Sequence, residues 1–295
     1  MTEPVAAEKT FLFVAHPGHE LCVHGWLEAA RPRVFVLTDG SGRSGRSRID
    51  STTGVLRRAG AEPGSIYGRF TDQDIYRALL DHDFAPLLET VAEFAEALVR
   101  EGAEAVAGDA AEGFNPAHDV CRMMINAAAE MAWRRGGRRV VNRDFLLVGR
   151  HDACPPELRA RATWLRLDDG AFERKLEAAR SFPELKDEIN AALEGDLLAL
   201  RQHPQLAAES PFKYNAPGGE SYRVECLRPA DGRLVSGEFD ERPPFYESHG
   251  ELRVAAGHYR RAIRYREHVL PLAGALRDYV GKCRPLANPT ATARS

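Results

Sequence analysis

The stretch FLFVAHPGHE, residues Phe11 to Glu20, most limits what this chain can fold into. Five consecutive apolar residues, Phe11 to Ala15, predict a short strand buried on both faces. The run stops at His16-Pro17-Gly18-His19-Glu20, which sets two imidazoles and a carboxylate at the strand's C-terminal end. In open α/β sheets, ligands bind at that edge. Leu21 to Ala30 then predicts a helix, and VFVLT (Val34 to Thr38) a second buried strand. Strand, helix and strand in under 30 residues make a βαβ unit, hence a parallel sheet with a right-handed crossover.

The rest of the chain continues the alternation. DGSGRSGRSR, Asp39 to Arg48, is a glycine- and serine-marked loop leaving the second strand at the same edge as His16. Ile49 to Arg58 predicts a helix closing at Gly60, and Ser65 to Phe70 a further strand. Apolar residues from Ala78 to Glu101 recur at helical spacing, as one long or two short helices ending at Gly102. Ala103 to Gly108 predicts the next strand, followed by the loop DAAEGFNPAHD, Asp109 to Asp119, and a helix from Val120 to Arg134. Arg139 to Val148 and Ala162 to Arg166 are further strands, and Phe172 to Arg201 is helical with a break at Pro183. Prolines and glycines become frequent from about Pro204, and a last helix is expected from Leu252 to Tyr279. The expected architecture is α/β: a Rossmann-like, mostly parallel sheet flanked by helices, with a C-terminal extension. Its divisions are 1–203 for the α/β unit, 204–284 for an extension covering the active edge, and 285–295 for a disordered tail.

Composition excludes several classes. Among 295 residues, 44% are hydrophobic and 28% charged, as in ordinary globular proteins. A net charge of −3 offers no basic excess for nucleic acid or an anionic membrane. No apolar run is long enough for a membrane span. The first residues, MTEPVAAEKT, lack a secretory pattern, so a cytoplasmic location is the expectation. Five scattered cysteines show no CxxC spacing and predict neither a disulfide framework nor a cysteine-based zinc site.

His16-x-x-His19 taken alone says little, since such short motifs specify a site loosely. Its meaning changes with Asn115-Pro116-Ala117-His118-Asp119, which follows a later strand. If the two strands lie close in a parallel sheet, His118 approaches His16 and His19 across the edge. Three protein ligands with one open position is the pattern of a catalytic zinc site.

These residues carry a resemblance. FLFVAHPGHE, then VLTDGSG, then RIDSTTGVLRRAGA, then NPAHD resembles the PIG-L/LmbE family of zinc-dependent N-deacetylases and related amidases. That family carries AHPDDE after its first strand, a T-x-G-x-x-G loop after the second, R-x-x-E opening the next helix, and HPDH after a later strand. The likeness implies that His16, His19 and His118 are the metal ligands, with His19 standing where the family has an aspartate. It implies that Thr38, Gly40 and Arg48 line the substrate pocket, and Asp72 falls where the family has a pocket aspartate. His249, within FYESHGELR, is read either as part of a surface turn or as a residue capping that pocket.

Departures from the family bear on the chemistry. Gly18 stands at the position of the general-base aspartate, Asn115 replaces an oxyanion-stabilising histidine, Ala117 an aspartate, and Ser51 a glutamate. A proton must still reach the leaving amine, and Glu112 and Asp109 are the candidates to carry it, with Glu20 expected to orient a ligand imidazole. Asn115 retains a donor for an oxyanion. The expected activity is metal-dependent amide hydrolysis, N-deacetylation of an amino-sugar or glycosyl-type biosynthetic intermediate. The alternative keeps the metal for different chemistry, or binds a sugar-like ligand without turning it over. Zn²⁺ is the expected ion and Fe²⁺ the second, because imidazole ligands do not select zinc uniquely. The expected partner is a small molecule rather than nucleic acid, and the sequence leaves homo-oligomeric assembly open.

Overall fold

The computed structural model describes residues 8–42, 45–148, 150–186, 189–190, 219–234, 239 and 242–283. The boundary expected near residue 204, the last part of the helix expected up to Arg201, and the tail from 285 fall outside them.

Strand β1 (Thr10–Val14) is buried throughout, as its unbroken apolar run requires. Successive side chains point to opposite faces. Phe11 and Phe13 therefore join one core with Phe35 and Phe94, while Leu12 and Val14 join another with Val34, Val36 and Leu56. Strand β1 pairs in parallel with β2 (Arg33–Thr38) on one side and β4 (Ala105–Asp109) on the other. Strand β3 (Glu62–Phe70) flanks β2, and β5 (Val141–Phe145) flanks β4, both parallel. The described residues form a seven-stranded sheet in the order β3-β2-β1-β4-β5-β7-β6. Strand β7 (Val224–Pro229) runs antiparallel to β5, and β6 (Thr163–Arg166) antiparallel to β7. Chain order reverses direction between β1 and β4, and such a switch point opens a crevice at the carboxyl edge.

Helices cover both faces. On the Phe11 side lie α3 (Asp72–Asp81), α4 (Ala85–Arg100) and α5 (Pro116–Gly136). On the Leu12 side lie α1 (His24–Ala30), α2 (Ile49–Ala59) and α6 (Asp169–Arg180). The stretch expected as one or two helices before Gly102 is two, split at His82, whose φ of 55° is left-handed. Helix α5 begins earlier than its apolar period suggests. The Asn115 side chain accepts from the Ala117 N–H at 2.9 Å and Pro116 occupies the first turn, so His118 and Asp119 are helical rather than in a loop.

The single helix expected from Leu252 to Tyr279 is instead two, α7 (Phe245–Ala255) and α8 (Leu270–Gly281). Gly257, at φ 74°, turns the chain after α7. Pro271 lacks an N–H and starts α8 afresh behind a π-turn at Tyr265–Val269. No helix among the described residues is long and apolar enough to cross a membrane.

One buried ion pair ties β7 to the helices. Glu225 accepts the Gly25 and Trp26 N–H groups at 2.8 Å each, in the first turn of α1, and pairs with Lys175 Nζ at 2.8 Å. Lys175 also donates to the Cys22 carbonyl at 2.9 Å. Removing one partner of a buried pair strands the other's charge. We expect Lys175→Met to lower the unfolding free energy by about 3–5 kcal/mol in denaturant titrations.

His151 is buried edge-on to Tyr222, with ring centroids 4.7 Å apart. Burial, assisted by the Lys175 charge, pushes its pKa down to about 3 from an ordinary 6.5. The unfolded chain therefore takes up the proton first as pH falls. Stability associated with the neutral ring is complete above about pH 6.5 and is lost on descent toward pH 3. Unfolding free energy across that window should fall more steeply for the wild type than for His151→Phe; equal slopes would contradict this.

Candidate metal centre

His16 follows β1 directly, and the chain then folds back on itself. The His19 N–H donates to the His16 carbonyl at 3.3 Å, and Gly18 adopts a left-handed φ of 103°. The Gly18 N–H donates to the carboxylate of fully buried Glu20 at 2.8 Å, so Glu20 fixes this turn rather than an imidazole. His118 sits in the first turn of α5, after β4. Register pairs Phe13 with Gly108, so both loops leave the same edge. Asp119 steadies the second loop by accepting the Glu112 and Gly113 N–H groups, both at 3.1 Å.

The topology thus brings His16, His19 and His118 together, with one nitrogen from each within 4.8 Å of the others. Their ring centroids lie 5.1, 5.0 and 4.6 Å apart. Two of the rings are held from behind by carboxylates. His16 Nδ1 lies 2.9 Å from Asp72 Oδ1 and 2.8 Å from Thr38 Oγ1. The Thr38 hydroxyl itself donates to Asp72 at 2.8 Å. His19 Nδ1 lies 2.9 Å from Asp109 Oδ2, which also accepts the Ala15 N–H at 2.7 Å. A hydrogen on each Nδ1 leaves Nε2 with a free lone pair, the ligating form.

Electrostatics favour the same state. Burial lowers the His16 pKa, against the opposing hydrogen bond to Asp72. Burial takes His118 well below its ordinary value, and the neighbouring His19 and His16 add to that. For Asp72, burial works upward, but hydrogen bonds from His16, Thr38 and Gly42 and the His16 charge outweigh it and bring the carboxyl to about 2.

Whether a metal suits this site can be judged from the orphaned atoms. His16 Nε2, His118 Nδ1 and Asp109 Oδ1 are buried without a hydrogen-bond partner among the described residues. Buried polar atoms are seldom left so. Three imidazoles, two of them oriented by carboxylates, are the donor set of a borderline divalent cation, and the residues fit one.

Several expected site residues take other positions. Asp109, a candidate for proton transfer, is fully buried and occupied by His19 and Ala15. Thr38 and Asp72, expected to line a substrate pocket, bear on His16. Glu112 accepts the Leu147 and Val148 N–H groups at 2.8 and 3.3 Å, and no hydrogen bond among the described residues joins it to the imidazoles. Burial raises its pKa to about 8 despite those two bonds. Asn115 spends its carbonyl oxygen capping α5. Gly40, at φ 67°, donates its N–H to Thr38 at 3.2 Å; a Cβ there would meet Pro17 Cδ at 2.9 Å. Arg48 closes the loop through its N–H to the Asp39 carbonyl at 2.8 Å, and its guanidinium has no ion pair among the described residues. His249 lies on α7 and stacks on Phe245 at 5.4 Å; Phe245 stacks on Phe114 at 5.3 Å, and Phe114 lies 6.5 Å from His118. Nothing in the sequence pattern marks Phe114 or Phe245.

Gly18 is surrounded as closely as the imidazoles. A Cβ there would lie 2.5 Å from Leu185 Cδ1 and 3.7 Å from the Phe182 ring. The space a residue-18 side chain needs is filled by apolar groups from the turn after α6. We expect Gly18→Asp to lower stability by about 1–3 kcal/mol, from the left-handed φ and the displaced leucine, as read by thermal unfolding. Asp109→Asn should weaken divalent-metal affinity by about 10–100-fold in calorimetric titration. Unchanged affinity would separate Asp109 from the ligand set.

No protein-family model matches the chain, and no curated protein does. Among solved structures, the deacetylase of the antimicrobial A40926 pseudoaglycone is similar, at 20% identity and a TM-score of 0.46, covering 76% of this chain and 97% of that one. The zinc-inhibited form of teicoplanin deacetylase is similar at 16% identity and 0.46, over 76% and 99%. A conserved protein from Thermus thermophilus is similar at 16% and 0.46, over 78% and 97%.

Proposed function

We propose that the protein is a divalent-metal-dependent amide hydrolase that deacylates an N-acylated amino sugar or related glycosyl-type biosynthetic small molecule. The observation that carries this reading is the convergence of His16, His19 and His118, with Asp72 and Asp109 behind two of the rings. These histidines would hold the ion, with Zn²⁺ first and Fe²⁺ second. A divalent ion there would polarise the scissile carbonyl and activate water. Asp72 with Thr38 and Asp109 keep the imidazoles in their ligating tautomers and orientations. Glu112, raised to about 8, carries a proton at neutral pH and is the candidate donor to the leaving amine. The side-chain amide of Asn115 and the guanidinium of Arg48 are the candidate contacts to the acyl oxygen and the polar substrate. Phe114 and Phe245, with His249 beyond them, supply an apolar wall next to His118.

A second reading keeps the metal for other chemistry, or for holding a sugar-like ligand without turnover. Leu185 favours it, because it occupies the place a base at residue 18 would need. Metal content of the purified protein is the first test. The expected result is one divalent ion per chain, lost in His118→Ala, together with hydrolysis of at least one member of a panel of N-acetylated sugars. Metal binding without hydrolysis would select the second reading, and absence of metal binding would overturn both.

A further inference from the structure

Two strands away from the imidazoles, the same sheet edge holds an open cleft of about 580 Å³ lined by Arg150, Arg159 and Arg228, together with Asp152 and Cys154. On a chain of net charge −3, the three arginines outnumber the two carboxylates that pair with them, Asp152 and Asp144, and leave one positive charge in excess here. Each guanidinium is oriented by the protein through its Nε. Arg150 Nε donates to Asp152 at 2.8 Å, Arg159 Nε to the Cys154 carbonyl at 3.2 Å, and Arg228 Nε to Asp144 at 2.7 Å. Arg150 also gives one Nη to Asp152. The remaining Nη groups have no partner among the described residues, and Arg159 has no acidic partner among them. Guanidiniums fixed in this way, with Nη groups left over, are suited to an oxyanion.

The cleft is tied to the metal loop. The Ala110 N–H donates to the Phe145 carbonyl at 3.0 Å, so the segments after β4 and β5 leave the sheet side by side. The Glu112 carboxyl then accepts the Leu147 and Val148 N–H groups, just before Arg150. Arg228 stands opposite Asp144 in the β5–β7 register. Two to three strand spacings, roughly 10–15 Å, separate cleft and imidazoles along the edge.

We propose that this cleft is a phosphoryl-binding subsite, taking the phosphate or diphosphate of a small molecule whose acylated amine lies at the three histidines. The second half of that statement rests on the reading given under Proposed function; the first does not. The leftover Nη groups of three guanidiniums offer more donors than one carboxylate accepts, and a phosphoryl group supplies the further acceptor oxygens.

The test uses the metal-free full-length protein, so that pyrophosphate meets no bound cation. Calorimetric titration should show pyrophosphate binding more tightly than phosphate, and acetate not competing. Arg159→Ala, at an exposed position, should weaken pyrophosphate about tenfold or more. Arg150→Ala with Arg159→Ala should abolish binding, while His118→Ala should leave it unchanged. No pyrophosphate binding, equal binding in the arginine variants, or equal competition by acetate would overturn the subsite. With metal restored, an N-acetylhexosamine phosphate should show a lower KM than its unphosphorylated parent, and Arg159→Ala should remove that difference. Pyrophosphate binding with no such KM difference would overturn the shared substrate alone. Loss of metal binding in the wild type would instead overturn the hydrolase reading and leave the cleft standing.

Discussion

The Asp109 carboxylate is the interaction on which the arrangement of this edge depends. It ends β4, is wholly buried, and takes the Ala15 N–H and the His19 ring on one oxygen. A single group therefore clamps the exit of β1 to the end of its neighbour and sets the direction of an imidazole. A charge this deep is costly unless its hydrogen bonds are made. The partners of Asp109 lie just beyond the β1–β4 pairing, so the carboxylate carries the register of the two strands into the site.

Asp72 performs the corresponding service from the other side. It reaches His16 from the start of α3 and also accepts the Gly42 N–H, joining the loop after β2 to the ring. The imidazoles are thereby fixed by two carboxylates from separate parts of the chain. His118 has no such support among the described residues and is positioned by the capped first turn of α5. The result is a set of three imidazoles with carboxylates behind two of them, which is how proteins raise the basicity of imidazole ligands. What this site lacks is a side chain at residue 18. The apolar turn after α6 occupies that space, and the local backbone is in a conformation that glycine adopts readily.

Much of the fold was legible because it is local. Strands β1, β2 and β4 are short apolar runs with polar ends, and the turns between them carry glycine, proline and serine. The three histidines were legible because each lies just beyond a recognisable strand or in its following motif. Less legible were the helix boundaries. The start of α5 is fixed by the Asn115 cap, and the apolar period from Leu252 to Tyr279 runs across the break that Gly257 and Pro271 enforce. Hydrophobic spacing reports which face is buried and says little about where a helix begins.

The division between sequence and structure is clearest in the acidic residues. By itself the sequence determined a parallel sheet, a carboxyl edge bearing His16, His19 and His118, and a residue 18 without a side chain, because all of these follow from residue type and short-range order. Only the tertiary structure decided that Asp109 and Asp72 lie against imidazoles, that Glu112 stitches one loop to the next, and that Leu185 fills the place beside Gly18. Those pairings join residues far apart in the chain, 90 positions for His19 and Asp109. A carboxylate has the same appearance in sequence whether it faces water or a buried ring; packing alone chooses its partner.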